Sequence, residues 1–395
     1  MGKIVPFNNL AEAEKLAKKL LPKAVWLAVK AGNELGWTLD ENIRAYNDLG
    51  FTPTIFDRPT IGQLDTKTTI LGVDIDFPVI VSPVGAQAIH PGGELAAARA
   101  AARMGTAIGL SSYASNSISE VTAANDKSFF QLYWVGTRDR IEARVEEARR
   151  SGAKALIVTL DWSFTPRRDW GVPPSPPMRL DIPTMIALAP EALSRPTWFA
   201  RYLLKGRIPE LKVPNLFITK DRVPTFGEAW AEFENTPTPT WEDVKWLRDF
   251  WGGPFMIKGV SSIKDAKLAV DMGADAISVS NHGGNNIDGT PSPIRFLPSI
   301  VEAVGNDIDV MVDGGIRRGS DVVKAMALGA KAVFVGRAYL YGLAVSGEEG
   351  VYKILEILKN GIEETMFGIG KSSIDDLSID DLIILNRDFL VKPTC

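Results

Sequence analysis

His282, one of two histidines in the chain, opens the glycine-rich stretch SNHGGNNIDGTP (280–291), just after the apolar run DAISVS. An imidazole ionises near neutrality, so a positioned histidine can take a proton while a hydride leaves carbon. Asp161 lies two residues beyond Thr159 at the end of another β-branched run, placed to orient such a ring and stabilise its cationic form. Gln131 and Tyr133 are also two apart, so they share one face of a strand. A second constellation is DGGIRRGSD, Asp313 to Asp321, with Arg337 after the next strand candidate. Gly314 and Gly315 would let backbone N–H groups approach an anion at a helix start, while Arg317 and Arg337 could supply forked bonds to phosphate oxygens. Something phosphorylated is expected there. Lys258 offers a cation for the negative charge that a reduced flavin carries at its pyrimidine end. Ser111, Gln131 and Thr159 are neutral hydrogen-bonding groups suited to an isoalloxazine edge, and Pro83-Val84-Gly85 is a small surface for a flat ring. FMN is the expected cofactor. His90, in a loop before a helix, reads as structural.

These residues need a scaffold that brings distant strand ends together. Gly152–Thr159, Gly273–Ser280 and Gly329–Gly336 share one pattern: a helix ends at glycine and a short β-branched strand follows, with Gly105–Ser111 as a looser copy. Gly273 and Gly329 lie 56 residues apart with a further strand candidate, 309–313, between them, the spacing of two βα units. Strands are expected at 78–82, 106–110, 129–133, 155–160, 254–258, 276–280, 309–312 and 332–335, with amphipathic helices at 92–104, 138–151, 262–272 and 319–328 among the connections. Eight strands alternating with helices predict an α/β fold, a (β/α)8 TIM barrel. An open Rossmann-type sheet fits less well, since no G-x-G-x-x-G follows an early strand. Residues 1–77 form an N-terminal extension that begins with a helical run, and the proline- and tryptophan-rich stretch 161–240 is a lid insertion after strand four. The whole chain, 1–395, is expected to be one domain.

Composition excludes several classes. The net charge of −4 gives no reason to expect nucleic acid or an anionic membrane as partner. The only cysteine is Cys395, so no disulfide forms within the chain and no thiol nucleophile sits inside the fold. No signal-peptide core or membrane-length apolar run is present, and a cytoplasmic location is expected.

The chain resembles the FMN-dependent α-hydroxy-acid dehydrogenases, the glycolate and lactate oxidase group, over nearly its whole length. The resemblance rests on LPKAVWLAVKAG (21–32), SPVGAQAIHPGGE (82–94), GLSSYAS (109–115), FFQLYW (129–134), TLDWSFTPRR (159–168), IKGVSSIKDAKLAV (257–270), SNHGGNNIDGTP, and the run from DGGIRRGSD to VGR. It implies FMN held by Ser111, Gln131, Thr159, Lys258, Ser280, Asp313, Gly315, Arg317, Gly336 and Arg337. His282 is implied as the base, with Tyr133 and Arg168 near the substrate, and a homotetramer or homo-octamer as the assembly.

Departures from the family pattern are informative. The hydroxy-acid enzymes place a carboxylate-clamping arginine three residues after the histidine, where this chain has Asn285; a family tyrosine is matched by Ala28, and a tryptophan by Tyr113. An asparagine offers a neutral donor and acceptor, which suits an amide or lactam better than an acid. SNHGGNNIDGTP, RRDWG, MRLDIPTMIALAPEALSRPTWF and PTPTWEDVKWL resemble the branch of the family that works in mycofactocin maturation. That branch implies oxidative deamination of a peptide-derived aminolactam to an α-keto lactam, with dioxygen or another electron acceptor. Trp162, Phe164 and Trp170 of the lid could pack the substrate's phenol ring. The competing expectation is a 2-hydroxy-acid oxidase using Arg168 alone for the carboxylate. IMP-dehydrogenase chemistry needs an internal cysteine, and a non-enzymatic nucleotide binder leaves Lys258, Tyr133 and His282 without a purpose.

Overall fold

Eight strands, buried along nearly their whole length, close into a parallel barrel in the computed structural model, which describes residues 6–56, 58–60, 62–85, 88–162, 167–171, 181–206, 209, 211–216, 222–386 and 389–390. In barrel order they are Val79–Val81, Ile108–Ser111, Ser128–Tyr133, Ala155–Thr159, Phe255–Val260, Ala276–Val279, Asp309–Asp313 and Ala332–Val335. Helices cover the outer face, so both faces of each strand are dry and the strands read as apolar runs. The predicted strands and helices agree with these bounds to within about two residues, the usual scatter at element ends.

Along the barrel axis the interior changes character. Alternate residues point inward, and at the N-terminal end these are Ile80, Phe129, Ile157, Met256, Met311 and Phe334 in one apolar cluster. The hairpin Thr68–Ile70/Val73–Ile75 stoppers that end, its Ile70, Leu71, Val73 and Ile75 joining the cluster. Burying each large side chain there contributes roughly 1.5–3 kcal/mol. One inward step further, the same strands carry Gln131, Thr159, Lys258 and Asp313, all buried. Polar chemistry is confined to the C-terminal rim, where active sites of this barrel sit.

The N-terminal run is two helices, Leu10–Leu20 and Lys23–Lys30, rather than one. Pro22 lacks the N–H that a continuous helix needs, so the chain breaks there and restarts. A third helix, Trp37–Arg44, leans on the rim, and Asn42 and Asn281 exchange side-chain amide hydrogen bonds of 2.9 and 2.8 Å. Strand Leu49–Phe51 then pairs antiparallel with Leu382–Ile384, near the other end of the chain.

The described parts of 161–240 carry helices at Ile182–Leu193, Pro196–Leu204 and Phe226–Asn235. The last is held over the barrel mouth at several points. Thr225 and Glu228 form a capping box, the Tyr113 hydroxyl donates to Ala229 O at 3.1 Å, and Arg140 pairs with Glu232. Phe164 and Cys395 lie outside the described residues. Among the described residues, no helix is long and apolar enough to cross a membrane.

Candidate active site

Two polar groups of residues line one continuous cavity at the C-terminal rim. The first is centred on Lys258, whose Nζ lies 2.6 Å from Asp313 Oδ2 and donates to Ser280 Oγ at 2.8 Å. That hydroxyl also accepts the His282 N–H at 3.1 Å and donates to Asp313 Oδ1 at 2.9 Å, so its bonding capacity is filled. Ser278 Oγ adds a 3.2 Å bond to Asp313 Oδ2. Register sets Thr159 beside Lys258, and Lys258 beside Ser278.

Gln131 is the telling residue of this half. Both polar atoms of its side-chain amide are buried and lack a partner among the described residues. A buried polar group left unpaired costs about 1–3 kcal/mol, so the amide fits a bound group presenting both an acceptor and a donor, as a flavin edge does. Gly314 and Gly315 have φ of +101° and +82°, and a Cβ on Gly315 would come within 1.7 Å of Asn42 O, so only glycine fits this turn. Asp321 Oδ2 accepts the N–H groups of Arg317 and Arg318, at 2.9 Å each, and shapes the turn before helix Gly319–Ala327. Arg317 and Arg337 line the cavity, and among the described residues no carboxylate pairs with either guanidinium. Burial pulls the Arg337 pKa down to about 10, still leaving it charged at neutral pH. Two cations without anions beside a glycine turn fit a phosphate. The residues present therefore match FMN, ring and phosphate alike.

The second group has the make-up that proton transfer needs. His282 Nδ1 lies 2.9 Å from Asp161 Oδ1, and Nε2 lies 3.2 Å from the Tyr133 hydroxyl. The carboxylate can only accept, so the proton on the neutral ring sits on Nδ1 and Nε2 is left as the basic atom. Burial pushes the Asp161 carboxyl up, but the charge and hydrogen bond of His282, with Lys258 nearby, outweigh it and hold it below its ordinary value. Burial and the Asp161 charge keep the Tyr133 phenol well above its usual range, and so neutral. The Trp162 ring stands edge-on to the imidazole with centroids 4.4 Å apart. His282 itself has φ +56° and is followed by two more left-handed residues, Gly283 and Gly284. A Cβ on Gly284 would come within 2.7 Å of the Leu39 N, so the loop can lie against helix Trp37–Arg44 only with glycine there.

Of the residues singled out in the sequence, Pro83, Val84, Gly85, Gln131, Tyr133, Thr159, Lys258, His282, Asn285, Asp313, Gly314, Gly315, Arg317, Gly336 and Arg337 reach the cavity. Asp161 stands behind His282, and Ser280 beneath Lys258 and Asp313. Ser111 is buried, with its hydroxyl accepting the Tyr113 N–H at 3.1 Å. Arg168 is not among the residues that line the cavity, and its guanidinium donates to Leu27 O at 2.9 Å and to Asn285 Oδ1 at 3.4 Å. Trp170 faces Lys30 and Arg168 rather than the cavity. The sequence reading missed Phe226, Trp230 and Phe233, which the lid helix adds to the cavity wall. A signal for them exists. Thr225-x-x-Glu228 is a capping-box pattern, and aromatics at 226, 230 and 233 fall on one helical face.

A closed parallel barrel with a flavin cradle and a histidine–aspartate pair at its C-terminal rim defines a flavin-dependent oxidoreductase. The chain belongs to the FMN-dependent dehydrogenase family, whose model matches residues 17–384. It is 52% identical over 384 residues to pre-mycofactocin synthase of Mycolicibacterium smegmatis, covering 97% of this chain and 96% of that protein. Glycolate oxidase 3 of Arabidopsis thaliana is 37% identical, with 94% of each chain covered. Among solved structures, (S)-mandelate dehydrogenase superposes with a TM-score of 0.85 at 31% identity, covering 96% of this chain and all of that one. The protein is an FMN-dependent oxidoreductase.

Proposed function

We propose that this enzyme oxidatively deaminates a peptide-derived aminolactam to an α-keto lactam, the reaction of mycofactocin maturation, with His282 as the base. The observation that carries the reading is the chemistry of the cavity wall facing the flavin cradle. Beside His282 it presents Asn285, Ala28 and the aromatic rings of Tyr113, Trp162, Trp230 and Phe233, none of them charged. Such a wall accepts a neutral carbonyl and an aryl group, and it offers a carboxylate no direct cation. The identity shared with pre-mycofactocin synthase supports the same choice.

Held by Gln131, Lys258, the Gly314-Gly315 turn, Arg317 and Arg337, FMN would supply a two-electron acceptor for the substrate's hydride, with dioxygen or another acceptor as the final oxidant. The chain's own residues do the rest. His282 Nε2 takes the proton released as the amine-bearing carbon becomes an imine, and Asp161 stabilises the resulting imidazolium. Tyr133 holds a neutral hydroxyl at hydrogen-bond distance from Nε2, where it can bond the substrate's heteroatom. Trp162 and the lid helix exclude bulk water from that proton. Water then hydrolyses the imine to the ketone and ammonia.

The test is anaerobic mixing of the yellow holoenzyme with an aminolactam built from a Val-Tyr end, and separately with lactate, glycolate and mandelate, following loss of the visible flavin band. Bleaching by the aminolactam alone is expected. The second reading, a 2-hydroxy-acid oxidase, draws on glycolate oxidase as a relative, and the Asp161–His282–Tyr133 set would serve an alcohol as well as an amine. Bleaching by a hydroxy acid alone would establish it and remove the lactam reading.

A further inference from the structure

Arg168 is the residue that a carboxylate-binding reading of this chain depends on, yet its guanidinium is already committed. Nη1 donates to Leu27 O at 2.9 Å, Nη2 donates to Asn285 Oδ1 at 3.4 Å, and the Trp170 ring lies 5.6 Å from its Cζ. The backbone around it is equally fixed. Arg168 forms a parallel bridge with Glu34, and Arg167 N–H donates to the Asn33 side chain at 2.6 Å. Asn33 Nδ2 in turn donates to Asn286 O at 2.7 Å, and Asn33 N–H to Gly284 O at 2.9 Å. Three segments far apart in sequence are thereby tied into one knot behind the histidine loop.

Asn285 sits between this knot and the cavity, buried but among the residues that line it. Its Oδ1 meets two donors, the Gly32 N–H at 3.3 Å and Arg168. Both neighbours are donor-only in this contact, so the oxygen must be the end of the amide that faces them. The other end, Nδ2, has no partner among the described residues. The amide therefore presents its two N–H bonds away from the knot, and Asn285 is one of the residues that line the cavity.

We propose that Arg168 is a positioning residue that acts through Asn285, fixing the amide so that its N–H donors meet a neutral carbonyl oxygen of the substrate. This deepens the lactam reading and rests on it. The cation that would clamp a hydroxy acid instead holds one end of a neutral donor, and the lactam C=O fits the other end. Without Arg168 the amide keeps only the Gly32 N–H at 3.3 Å, a weaker hold that lets it rotate and offer its oxygen where a donor is needed.

A double-mutant cycle tests this, combining Arg168→Met with Asn285→Leu and measuring KM and kcat for the aminolactam, with flavin content and the visible spectrum as checks on folding. Loss of one neutral hydrogen bond predicts a KM rise of roughly 5–10-fold for Arg168→Met, with kcat little changed. In the Asn285→Leu background the same substitution should add nothing, because its effect passes through the absent amide. Arg168→Lys, which keeps a cation near Leu27 O, provides the cycle if the methionine variant loses its flavin. Additive effects, or a fall in kcat with KM unmoved, would overturn the positioning role while leaving the lactam reading intact. Failure of the aminolactam to reduce the wild-type flavin would remove both.

Discussion

His282 and His90 each hold Nδ1 in a hydrogen bond, but the two bonds run in opposite directions. At the active rim, His282 Nδ1 faces the Asp161 carboxylate at 2.9 Å, so that atom bears the proton and Nε2 is basic. Under the lid, His90 Nδ1 accepts the Gly92 N–H at 3.0 Å, so it must stay unprotonated. Its ring is also wedged against Gly347, where a Cβ would lie 2.7 Å from Cε1. Burial, with Arg201 and Lys205 adding positive charge nearby, pushes its pKa down to about 4. One imidazole keeps Nε2 as its basic atom, while the other resists a proton. At His90 burial is the largest cause, and the Gly92 N–H on Nδ1 is a bond that protonation there would break.

That contrast can be broken at either end. The largest effect is expected from His282→Gln, which removes the proposed proton acceptor. The rate of anaerobic flavin reduction should fall about 10²–10⁴-fold while flavin content is retained, and reduction at the wild-type rate would move the base to another group. Asp161→Asn comes next. An amide can hold the ring but cannot stabilise its cation, and a fall on the order of 10²-fold is expected. If activity survives that change unaltered, the anion is not what prepares His282.

The smallest effect belongs to His90→Gln and concerns stability. The folded-state pKa, about 4, lies below the ordinary 6.5, so between those values the unfolded chain binds more protons. His90's contribution is complete above pH 6.5 and is lost as pH falls toward 4, on the order of 1–3 kcal/mol for a mostly buried ring. The variant should show a flatter acid limb in melting temperature against pH, with turnover at neutral pH unchanged. An acid limb as steep as that of the wild type would mean that the ring protonates freely.

The barrel was legible because its signals are local. Gly152, Gly273 and Gly329 each end a helix ahead of a β-branched strand, and the strand ends then place Gln131, Thr159, Lys258 and Asp313 on one rim without further information. Asp161 could be paired with His282 from the same reasoning. Arg168 could not be placed in this way. Its two partners, Leu27 and Asn285, are 141 and 117 residues away, and no periodicity reports contacts between an extension, a lid and a loop. The hairpin 68–75 was missed for a different reason: its turn residues, Leu71 and Gly72, both have positive φ, a conformation that leucine does not advertise. Pro22 did announce a break, and the single helical run drawn through it overlooked the missing N–H.

The pairing of Leu49–Phe51 with Leu382–Ile384 has a consequence for synthesis. A chain made from its N-terminus cannot complete this two-stranded sheet until Leu382–Ile384 emerge. Helix Trp37–Arg44, which precedes the first of these strands, backs both the histidine loop, through Asn281, and the phosphate turn, through Gly315. This side of the C-terminal rim thus gains its final support only after Leu382–Ile384 have left the ribosome. A growing chain stalled short of Leu382 already contains the barrel strands that carry Gln131, Lys258 and Asp313, but its extension still lacks the strand that pins it.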